Sequence, residues 1–353
     1  MEQQEIQCQL DLKNYIPGNG FIGKYQKLIK ETVIPYQYRV LCDEEPEASK
    51  SHVKQNFINA AKALKNEENS GFFGMVFQDS DAAKWLEAVA YSLTIFPDKE
   101  LEKIADEFIH LIAQAQDKDG YLNTYFTIKD KEKRWTNLRE GHEMYCAGHM
   151  MEAACAYYES TGKKELLDVM VKNMELIYKL YIEEKKDGYP GHPEIELALI
   201  KMYNLTYNPP ALELAKHFIT IRGVDPEYFK KESEKNTWYV WGPDGGNPEY
   251  SQANKAIKDQ IVATGHAVRC AYLYTGVAGL ISEYKKNEDI FNTDDKKIIE
   301  QLQEACNRIW KNITQKRMYI TGGIGSTNIG EAFTKDYDLP SDTVYAETCA
   351  SIG

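Results

Sequence analysis

The chain has 353 residues, of which 43% are hydrophobic, so it can bury a substantial core and exceeds the usual size of a single domain. Its formal net charge of −12 at pH 7 argues against nucleic acid or an anionic membrane surface as its main partner. The apolar stretches fall short of the ~20 residues that a membrane-spanning helix needs, so the sequence predicts no membrane partner.

The first residues and the cysteines indicate the cellular compartment. The segment Met1-Glu-Gln-Gln-Glu-Ile6 is acidic and polar, unlike a secretory signal peptide. The seven cysteines are odd in number, are scattered along the chain and include no CxxC pair. We therefore predict reduced thiols and a cytoplasmic location.

Residues 1–25 form the first predicted element. Apolar side chains alternate with polar ones at Ile6, Cys8, Leu10 and Leu12, which is the period of an extended strand. This pattern predicts a short N-terminal extended segment that could supply a strand to another domain.

Residues 26–353 read as a series of amphipathic helices without a linker or a low-complexity segment. In the stretch from Lys99 to Gln116, for example, apolar residues recur with the 3.6-residue period of a helix. Thr293 is a candidate cap for a late helix, and the helix predicted over 256–286 could bend near Gly276. The other predicted helices are 54–64, 81–96, 140–160, 164–181, 194–204 and 209–221. The pattern predicts an all-α fold, an α/α toroid of helical hairpins.

The predicted helix 140–160 contains His142, Cys146 and His149 at positions i, i+4 and i+7, so these side chains share a face. A metal ion on that face is conceivable, although a cysteine replaces the second histidine of an HExxH motif. Histidines that hydrogen-bond within a core-facing helix are the more ordinary interpretation. A sugar-binding histidine at a helix start is a third.

Two further histidines, His192 and His266, follow glycines close to predicted helix starts. A glycine beside a histidine allows a backbone or a ligand to approach closely. Each histidine alone is more often structural. Together with His142, however, they could converge where the loops of one rim meet the axis of a helical ring.

A glycine-rich stretch, Tyr319-Ile-Thr-Gly-Gly-Ile-Gly-Ser326, precedes Glu331. It lacks the Gly-Lys-Ser/Thr ending of a phosphate loop and does not fit GxGxxG, so we reject nucleotide binding. A tight turn that presents Glu331 is the simpler interpretation. Apolar neighbours such as Phe333 could raise the pKa of Glu331, as a general acid requires, although an exposed loop glutamate is the more ordinary interpretation of the residue type alone.

Glu347 and Cys349 stand two residues apart near the end of the sequence. On a helix these side chains would diverge, whereas in an extended segment they would point to the same side and could grip one metal ion. A thiolate and a carboxylate are a plausible half of a zinc site.

Several of these motifs, in this order, resemble the β-L-arabinofuranosidase family of glycoside hydrolases, family 127. The similarity covers almost the entire chain and is most specific near its end. The motifs that carry it are Pro35-Tyr36-Gln37, Asp79-Ser80-Asp81, Asp119-Gly-Tyr-Leu-Asn123, His142-Glu-Met-Tyr-Cys-Ala-Gly-His149, Gly191-His192, Gly265-His-Ala-Val-Arg269, Tyr319 to Ser326, Gly330-Glu331, Asp336 to Pro340 and Glu347-Thr-Cys-Ala-Ser351.

The resemblance implies a catalytic α/α six-fold toroid followed by β-sandwich domains. It further implies a retaining reaction in which a zinc-bound cysteine is the nucleophile and forms a thioglycosyl intermediate. Glu331 matches the general acid/base, and Glu347 and Cys349 match two of the four zinc ligands. The residues that match histidines contacting the arabinofuranose are His142, His192 and His266.

The sequence also differs from the family pattern. The nucleophilic cysteine and its neighbouring cysteine, both zinc ligands, lie downstream of the Glu-x-Cys motif in the family and have no counterpart among residues 1–353. The closing helices and the sandwich domains are likewise missing, so the toroid over 26–353 is predicted to be incomplete. Relatives typically carry a histidine at the position of Asn254.

The resemblance therefore implies the N-terminal portion of a retaining hydrolase that cleaves β-L-arabinofuranosides in oligosaccharides, with an incomplete Zn²⁺ site and impaired activity. One alternative is a related glycosidase for another unusual plant-polysaccharide sugar. A second is a catalytically inert sugar-binding fragment. A third is an inverting hydrolase in which Glu331 works with Asp79 or Asp81. The oligomeric state is not predicted.

Overall fold

The computed structural model describes residues 12–353, with the side chain of residue 288 excepted. The described residues are 61% helical, and isolated β-bridges take the place of strands among them. None of the helices in this range combines the length and the apolar character that crossing a membrane requires. The α-helices are α1 (Phe21–Leu28), α2 (Ile34–Leu41), α3 (Val53–Leu64), α4 (Asp79–Ile95), α5 (Lys99–Gln114), α6 (Thr124–Lys129), α7 (Glu143–Thr161), α8 (Glu165–Tyr178), α9 (Ile195–Thr206), α10 (Pro209–Ile221), α11 (Tyr228–Lys235), α12 (Ala267–Lys286), α13 (Thr293–Asn312) and α14 (Thr348–Ile352).

The long helices alternate between an inner and an outer layer. In the inner layer α2, α4, α7, α9 and α12 pack side by side in chain order, and α14 packs on α12. In the outer layer α3 packs on α5, α5 on α8, and α8 on α10. From α4 onwards each inner helix packs against the outer helix that follows it. This is the predicted α/α toroid, with five hairpins in the described residues and α14 in the inner position of a sixth.

The two layers differ in how much of each helix is buried. The inner helix α7 is buried along nearly its whole length between Glu143 and Tyr157, because helices contact it from several directions. The outer helix α5 buries only a stripe that includes Phe108 and Ile112. A single apolar stripe is the usual pattern of a helix with one side in water, and it made α5 easy to predict.

The structure corrects three details of the predicted elements. The helix predicted over 256–286 begins only at Ala267 and continues through Gly276, where an added Cβ would lie 3.0 Å from Glu196 and Leu197. Gly276 therefore permits close packing on α9 and does not produce a bend. The late helix α13 is capped by Asn292 in a capping box with Asp295, and not by Thr293.

The predicted extended segment 1–25 lies largely outside the described residues, since its alternating positions 6, 8 and 10 fall there. Its last five residues, 21–25, are helical and belong to α1. The extended prediction is therefore wrong for residues 21–25, where helix α1 runs through a π-turn at Ile29–Val33 into α2.

The inner helices start at the same rim of the toroid. His142 and His266 are the N-cap residues of α7 and α12, Glu347 is the N-cap of α14, and His192 lies just before α9. The positive ends of these helix dipoles therefore surround one region, which favours carboxylates and other anionic groups there. The sequence expectation that the histidines lie near helix starts is confirmed.

Candidate active site

A cavity of about 560 Å³ opens where the inner helices begin. Its wall combines charged, aromatic and sulfur-containing side chains from five helix starts (α4, α7, α9, α12 and α14), from the loop between α11 and α12, and from the loop after α13. All six residues singled out in the sequence line it, namely His142, His192, His266, Glu331, Glu347 and Cys349. The toroid therefore brings together residues that are up to 207 positions apart along the chain (142 to 349).

Two of the histidines present an unprotonated nitrogen to the cavity. The Nδ1 atom of His142 lies 2.6 Å from the carbonyl of Glu140, and Nδ1 of His192 lies 2.8 Å from the carbonyl of Pro193. Because a carbonyl only accepts, each Nδ1 must carry the proton and each Nε2 keeps a lone pair. Burial lowers the pKa of His142 to about 3 and that of His192 well below its usual range, with the positive charge of Arg269 as a second cause. Both rings are therefore neutral acceptors.

His266 has the opposite tautomer, because it caps a helix. Its Nδ1 accepts hydrogen bonds from the backbone N–H groups of Val268 and Arg269 at 3.1 and 3.5 Å, so this nitrogen is unprotonated. The proton of the neutral ring is consequently on Nε2, which lies 2.7 Å from Oε2 of Glu331. The start of α12 thus fixes a donor that points at the carboxylate.

The pKa of Glu331 is lowered, contrary to the expectation that apolar neighbours would raise it. The hydrogen bond from His266 is the largest cause, and it outweighs the partial burial of the carboxyl group, which acts in the opposite direction. The nearby charge of Arg269 also lowers the pKa. In the free protein Glu331 is therefore a carboxylate held by donors.

A tight turn presents Glu331. Thr327 and Ala332 exchange two backbone hydrogen bonds of 3.2 and 3.1 Å, and between them Gly330 and Glu331 adopt left-handed φ angles of 68° and 51°. A non-glycine residue in this region is strained by about 1–3 kcal/mol, which is typical of functional positions. The N–H of Phe333 donates to the carbonyl of Gly265 at 2.9 Å, so the turn is joined directly to the start of α12.

The preceding glycine-rich loop supports the other wall of the cavity. The carbonyl of Gly325 accepts from the backbone N–H groups of Tyr345 and Ala346 at 3.2 and 3.0 Å. These contacts hold the segment that leads into Glu347. The loop is therefore a structural support beside the site.

Glu347 and Cys349 come together at a helix start, and not in an extended segment as predicted. Glu347 has extended dihedral angles at the N-cap of α14, while Cys349 lies within the first turn. This bend brings the thiol close to the carboxylate of Glu347. Burial, followed by the contact with Glu347, raises the pKa of the Cys349 thiol. Ligand atoms of Glu347, Glu331 and His266 also lie within 4.8 Å of one another.

Comparison with known proteins decides the family. The family model of the GH127 β-L-arabinofuranosidase catalytic domain matches residues 18–353. The chain belongs to glycoside hydrolase family 127. Glu331, the Glu347–Cys349 pair and the three histidines all lie within the matched residues.

Individual GH127 proteins show the same similarity. The chain is 42% identical to a non-reducing end β-L-arabinofuranosidase of Bifidobacterium longum subsp. longum, over 92% of this chain and 50% of that protein. A solved GH127 β-L-arabinofuranosidase from Geobacillus stearothermophilus T6 is 49% identical, with a TM-score of 0.85 over 95% of this chain and 50% of that chain. A second solved GH127 β-arabinofuranosidase is 32% identical, with a TM-score of 0.79 over 97% and 49%. The chain spans about half the length of these relatives.

The cavity of this GH127 domain also contains residues that the sequence analysis did not assign. Lys84 donates to the hydroxyl of Tyr145 at 3.0 Å, and Arg269 donates to the carbonyl of Gly191 at 2.8 Å while stacking 4.2 Å from the ring centre of Tyr250. Arg269 thereby holds the loop that carries His192. Its position three residues after His266 was the available signal, because i and i+3 lie on one side of a helix.

The two aspartates that could have completed an inverting pair have different positions. Asp79 accepts from the N–H and the hydroxyl of Thr124, the former at 2.7 Å, and it does not line the cavity. Burial raises the pKa of Asp79 to about 6. The pairing of Glu331 with Asp79 is therefore wrong, since Asp79 joins α4 to α6. Asp81 does line the cavity, and burial raises its pKa.

The face with His142, Cys146 and His149 does not form a metal site. His142 turns into the cavity from the N-cap position, whereas Cys146 is buried and does not line the cavity. Among the described residues, His149 instead groups with Glu152 and Glu194. The left-handed backbone of His142, with φ of 54°, breaks the helical spacing on which the prediction depended.

A pair of substitutions at His266 tests whether this residue lowers the pKa of Glu331. We expect His266→Asn to keep the helix cap, because asparagine caps well, but to remove the donor to Glu331. His266→Ala should remove both and lower the free energy of unfolding by about 0.5–2 kcal/mol. Titration of ¹³C-labelled glutamate carboxyls by NMR should show a higher Glu331 pKa in both variants. An unchanged pKa in His266→Asn would contradict the proposed contact.

Proposed function

We propose that the chain is the N-terminal, acid-bearing portion of a retaining glycoside hydrolase that acts on β-L-arabinofuranosides. The observation that carries the proposal is the single cavity that contains Glu331, the Glu347–Cys349 pair and the three histidines. Membership of GH127 and the names of the relatives support the substrate class. The cytoplasmic location stays a prediction.

The histidines suit the recognition of a sugar. His142 and His192 offer neutral Nε2 acceptors, which bind hydroxyl groups that donate. Their rings lie 6.0 Å apart, so two hydroxyl groups of one furanose ring can reach both. Trp241 lies 5.5 Å from the ring of His142 and adds an apolar surface for the sugar face.

Glu331 is proposed as the general acid/base. It would donate a proton to the departing glycosidic oxygen and later accept one from the attacking water, as retaining hydrolases require. Its carboxylate is only half-buried in the free protein, and a bound sugar would displace water from it. Desolvation favours the neutral form, so substrate binding should raise the pKa of Glu331 toward that of an acid.

The donors present fit part of a zinc site. Zn²⁺ accepts both thiolate sulfur and carboxylate oxygen, and Glu347 and Cys349 are in contact with each other at the cavity wall. When bound, the metal would supply the charge that lowers thiol pKa values and fixes sulfur as thiolate. Within this chain Glu347 would orient the Cys349 thiol, whose burial otherwise keeps it protonated. We propose that the attacking thiol lies outside residues 1–353.

A fusion protein tests the proposal, because the chain spans about half of its relatives. It joins residues 1–353 to the half of the G. stearothermophilus enzyme that this chain does not match. We expect the fusion to hydrolyse p-nitrophenyl β-L-arabinofuranoside in the presence of zinc, and residues 1–353 alone to bind the sugar without hydrolysing it. A soluble, folded fusion without turnover would contradict the proposal, and rapid turnover by residues 1–353 alone would place the nucleophile within them.

Sugar binding tests the role of the neutral histidines. We expect methyl β-L-arabinofuranoside to bind residues 1–353 about tenfold more weakly after His192→Ala. A tenfold loss of affinity corresponds to the usual contribution of one neutral hydrogen bond. The exposed His110 on α5 provides the control His110→Ala, which should change nothing. Calorimetric titration gives both constants.

The same titration has an expected pH dependence. The pKa of His142 is about 3, and the pKa of His192 lies well below its usual range. Both rings are therefore neutral throughout the range from about pH 5 to about pH 8. Sugar affinity should therefore change by less than about twofold over that range. A steep change near pH 6.5 would show that one of the rings titrates in the usual range.

A further inference from the structure

A second polar cluster lies inside the toroid, beyond the wall of the active-site cavity. His149 and Glu152 project from the same side of α7, and Glu194 occupies the N-cap position of α9. One ligand atom from each of these three residues lies within 4.8 Å of those of the other two. His149 follows His142 by seven residues, which corresponds to about 10 Å along the helix axis.

The separations suit a shared cation. The Nδ1 atom of His149 lies 3.3 Å from Oε1 of Glu194 and 3.8 Å from Oε2 of Glu152. Two ligands at about 2.1 Å from one tetrahedral ion are roughly 3.4 Å apart. The two separations from His149, 3.3 and 3.8 Å, are close to this value.

The side chains of His149 and Glu194 are buried without hydrogen-bond partners in the part of the chain that the structure describes. His149 is 4% exposed and Glu194 is 1% exposed. Among the described residues, neither ring nitrogen of His149 and neither carboxylate oxygen of Glu194 has a hydrogen-bond partner. Buried polar atoms are nearly always satisfied, and a buried carboxylate without a partner is particularly unfavourable. A group that binds all of these atoms at once would satisfy them.

The backbone is arranged to bring Glu194 to this place. Gly148 lies against it, and an added Cβ there would come within 2.8 Å of the Glu194 side chain and of the backbone of Ile195. The side chain of Glu194 does not cap its own helix, and Glu196 accepts from the N–H of Glu194 instead. Both carboxylate oxygens of Glu194 thus remain available to His149.

The charges around the cluster also favour a cation. Lys201 contacts Glu152 and lies 3.7 Å from Glu87, while Glu152 faces His149 with its other oxygen. With all carboxyl groups ionised, this network of Glu87, Glu152, Glu194 and Lys201 contains three negative charges and one positive charge. The two uncompensated charges match one divalent ion.

Glu152 of the cluster borders a cavity other than the active site. The rings of Tyr145 and Tyr272 lie 4.6 and 5.9 Å from the ring of His149, and Tyr145 lines the active-site cavity. A different cavity of about 320 Å³ is lined by Glu152 and Lys201. An ion could therefore enter without passing the sugar site.

We propose that His149, Glu152 and Glu194 form a binding site for a divalent transition-metal cation, distinct from the Glu347–Cys349 pair. One imidazole nitrogen and two carboxylate oxygens are suited to Mn²⁺, Co²⁺ or Zn²⁺ and contain no thiolate. The site holds α7 and α9 together at the centre of the inner layer, so its expected role is structural.

Cobalt provides the probe, because a Co²⁺ ion bound by thiolate has a near-ultraviolet sulfur-to-metal band that the proposed site lacks. We expect residues 1–353 with Cys349→Ser to bind Co²⁺ with d–d absorption, without the sulfur band, and with a rise in Tm of roughly 5 °C at saturation. In this background Glu194→Gln should weaken Co²⁺ binding more than about 100-fold, since even outer-shell partners are worth 10–100-fold.

Two further variants keep the test decisive. Glu159 lines the same 320 Å³ cavity but lies outside the cluster, so the control variant Glu159→Gln should bind Co²⁺ with unchanged affinity. Glu152→Gln removes a ligand from α7, which provides a second test if Glu194→Gln does not fold. Equal Co²⁺ affinity in the Cys349→Ser background with and without the ligand substitutions would overturn the proposal. So would the absence of Co²⁺ binding in that background, which would indicate a proton shared between His149 and Glu194.

Discussion

Replacement of Glu331 by glutamine in the fusion protein is expected to lower kcat/KM for an arabinofuranoside with an alkyl leaving group by about 10²- to 10⁴-fold. Glutamine keeps the size of the side chain and can still accept from His266, but it cannot give a proton to the departing oxygen. A nitrophenolate leaves without help from an acid, so p-nitrophenyl arabinofuranoside should lose much less activity in the first step.

The matched control for this prediction is Glu304→Gln. Glu304 is an exposed residue of α13 that lies beside Arg308 and does not line the cavity. The substitution changes charge in the same way and should leave both substrates unaffected. Equal losses for the alkyl and the nitrophenyl substrates in Glu331→Gln would argue against proton donation. Such a result would assign Glu331 a role in binding instead.

The second large effect is expected at Cys349. We expect Cys349→Ser to weaken the sulfur-to-metal band of the cobalt-loaded fusion, which keeps the thiolates of its added half, and to lower zinc-dependent hydrolysis more than about 100-fold, because a serine hydroxyl does not replace a thiolate ligand. Glu347→Gln should act in the same direction, since Glu347 contacts the thiol and lines the same cavity. Absorption spectra and rates are measured on the same samples.

Cys306→Ser serves as the control for Cys349. Cys306 is also a partly buried thiol, but it lies on the outer helix α13 and does not line the cavity. Its substitution should leave the sulfur band and the rate unchanged. Full activity of Cys349→Ser would contradict the proposed role of the Glu347–Cys349 pair. It would favour an inverting mechanism in which Glu331 works with Asp81.

The helical architecture could be predicted because apolar residues recur with the 3.6-residue period of a helix along most of the chain. The 3.6-residue period of the apolar residues in α5 predicted a helix, and the series of such helices predicted a ring of hairpins. The histidines stood beside glycines at predicted helix starts, and a toroid places its helix starts on one rim. That geometry and the family resemblance together predicted that His142, His192 and His266 share one site, and the three residues do line one cavity.

Other features depended on contacts that local sequence does not reveal. The pKa of Glu331 is set by His266, 65 residues earlier (266 to 331), and the proton of His266 is directed by its role as a helix cap. Residues 256–266 contain helix-forming side chains, yet they form a loop with one short 3-10 turn, and Gln260 in that loop bonds backbone carbonyls of residues 252 and 255. Tertiary contacts override local propensity at such positions.

The proximity of His149 to Glu194 could not be predicted from the sequence either. The i, i+4, i+7 spacing grouped His149 with Cys146 and His142, but the left-handed N-cap conformation of His142 removes it from that face. Glu194 comes from the next inner helix, and only the close approach at Gly148 shows that it meets His149.

A crystal structure of residues 1–353 with methyl β-L-arabinofuranoside tests the central claim most directly. We predict the sugar in the 560 Å³ cavity, with hydroxyl groups on Nε2 of His142 and His192 and the glycosidic oxygen within hydrogen-bond distance of Glu331. A sugar bound elsewhere, or bound in the cavity with its glycosidic oxygen turned away from Glu331, would contradict the account.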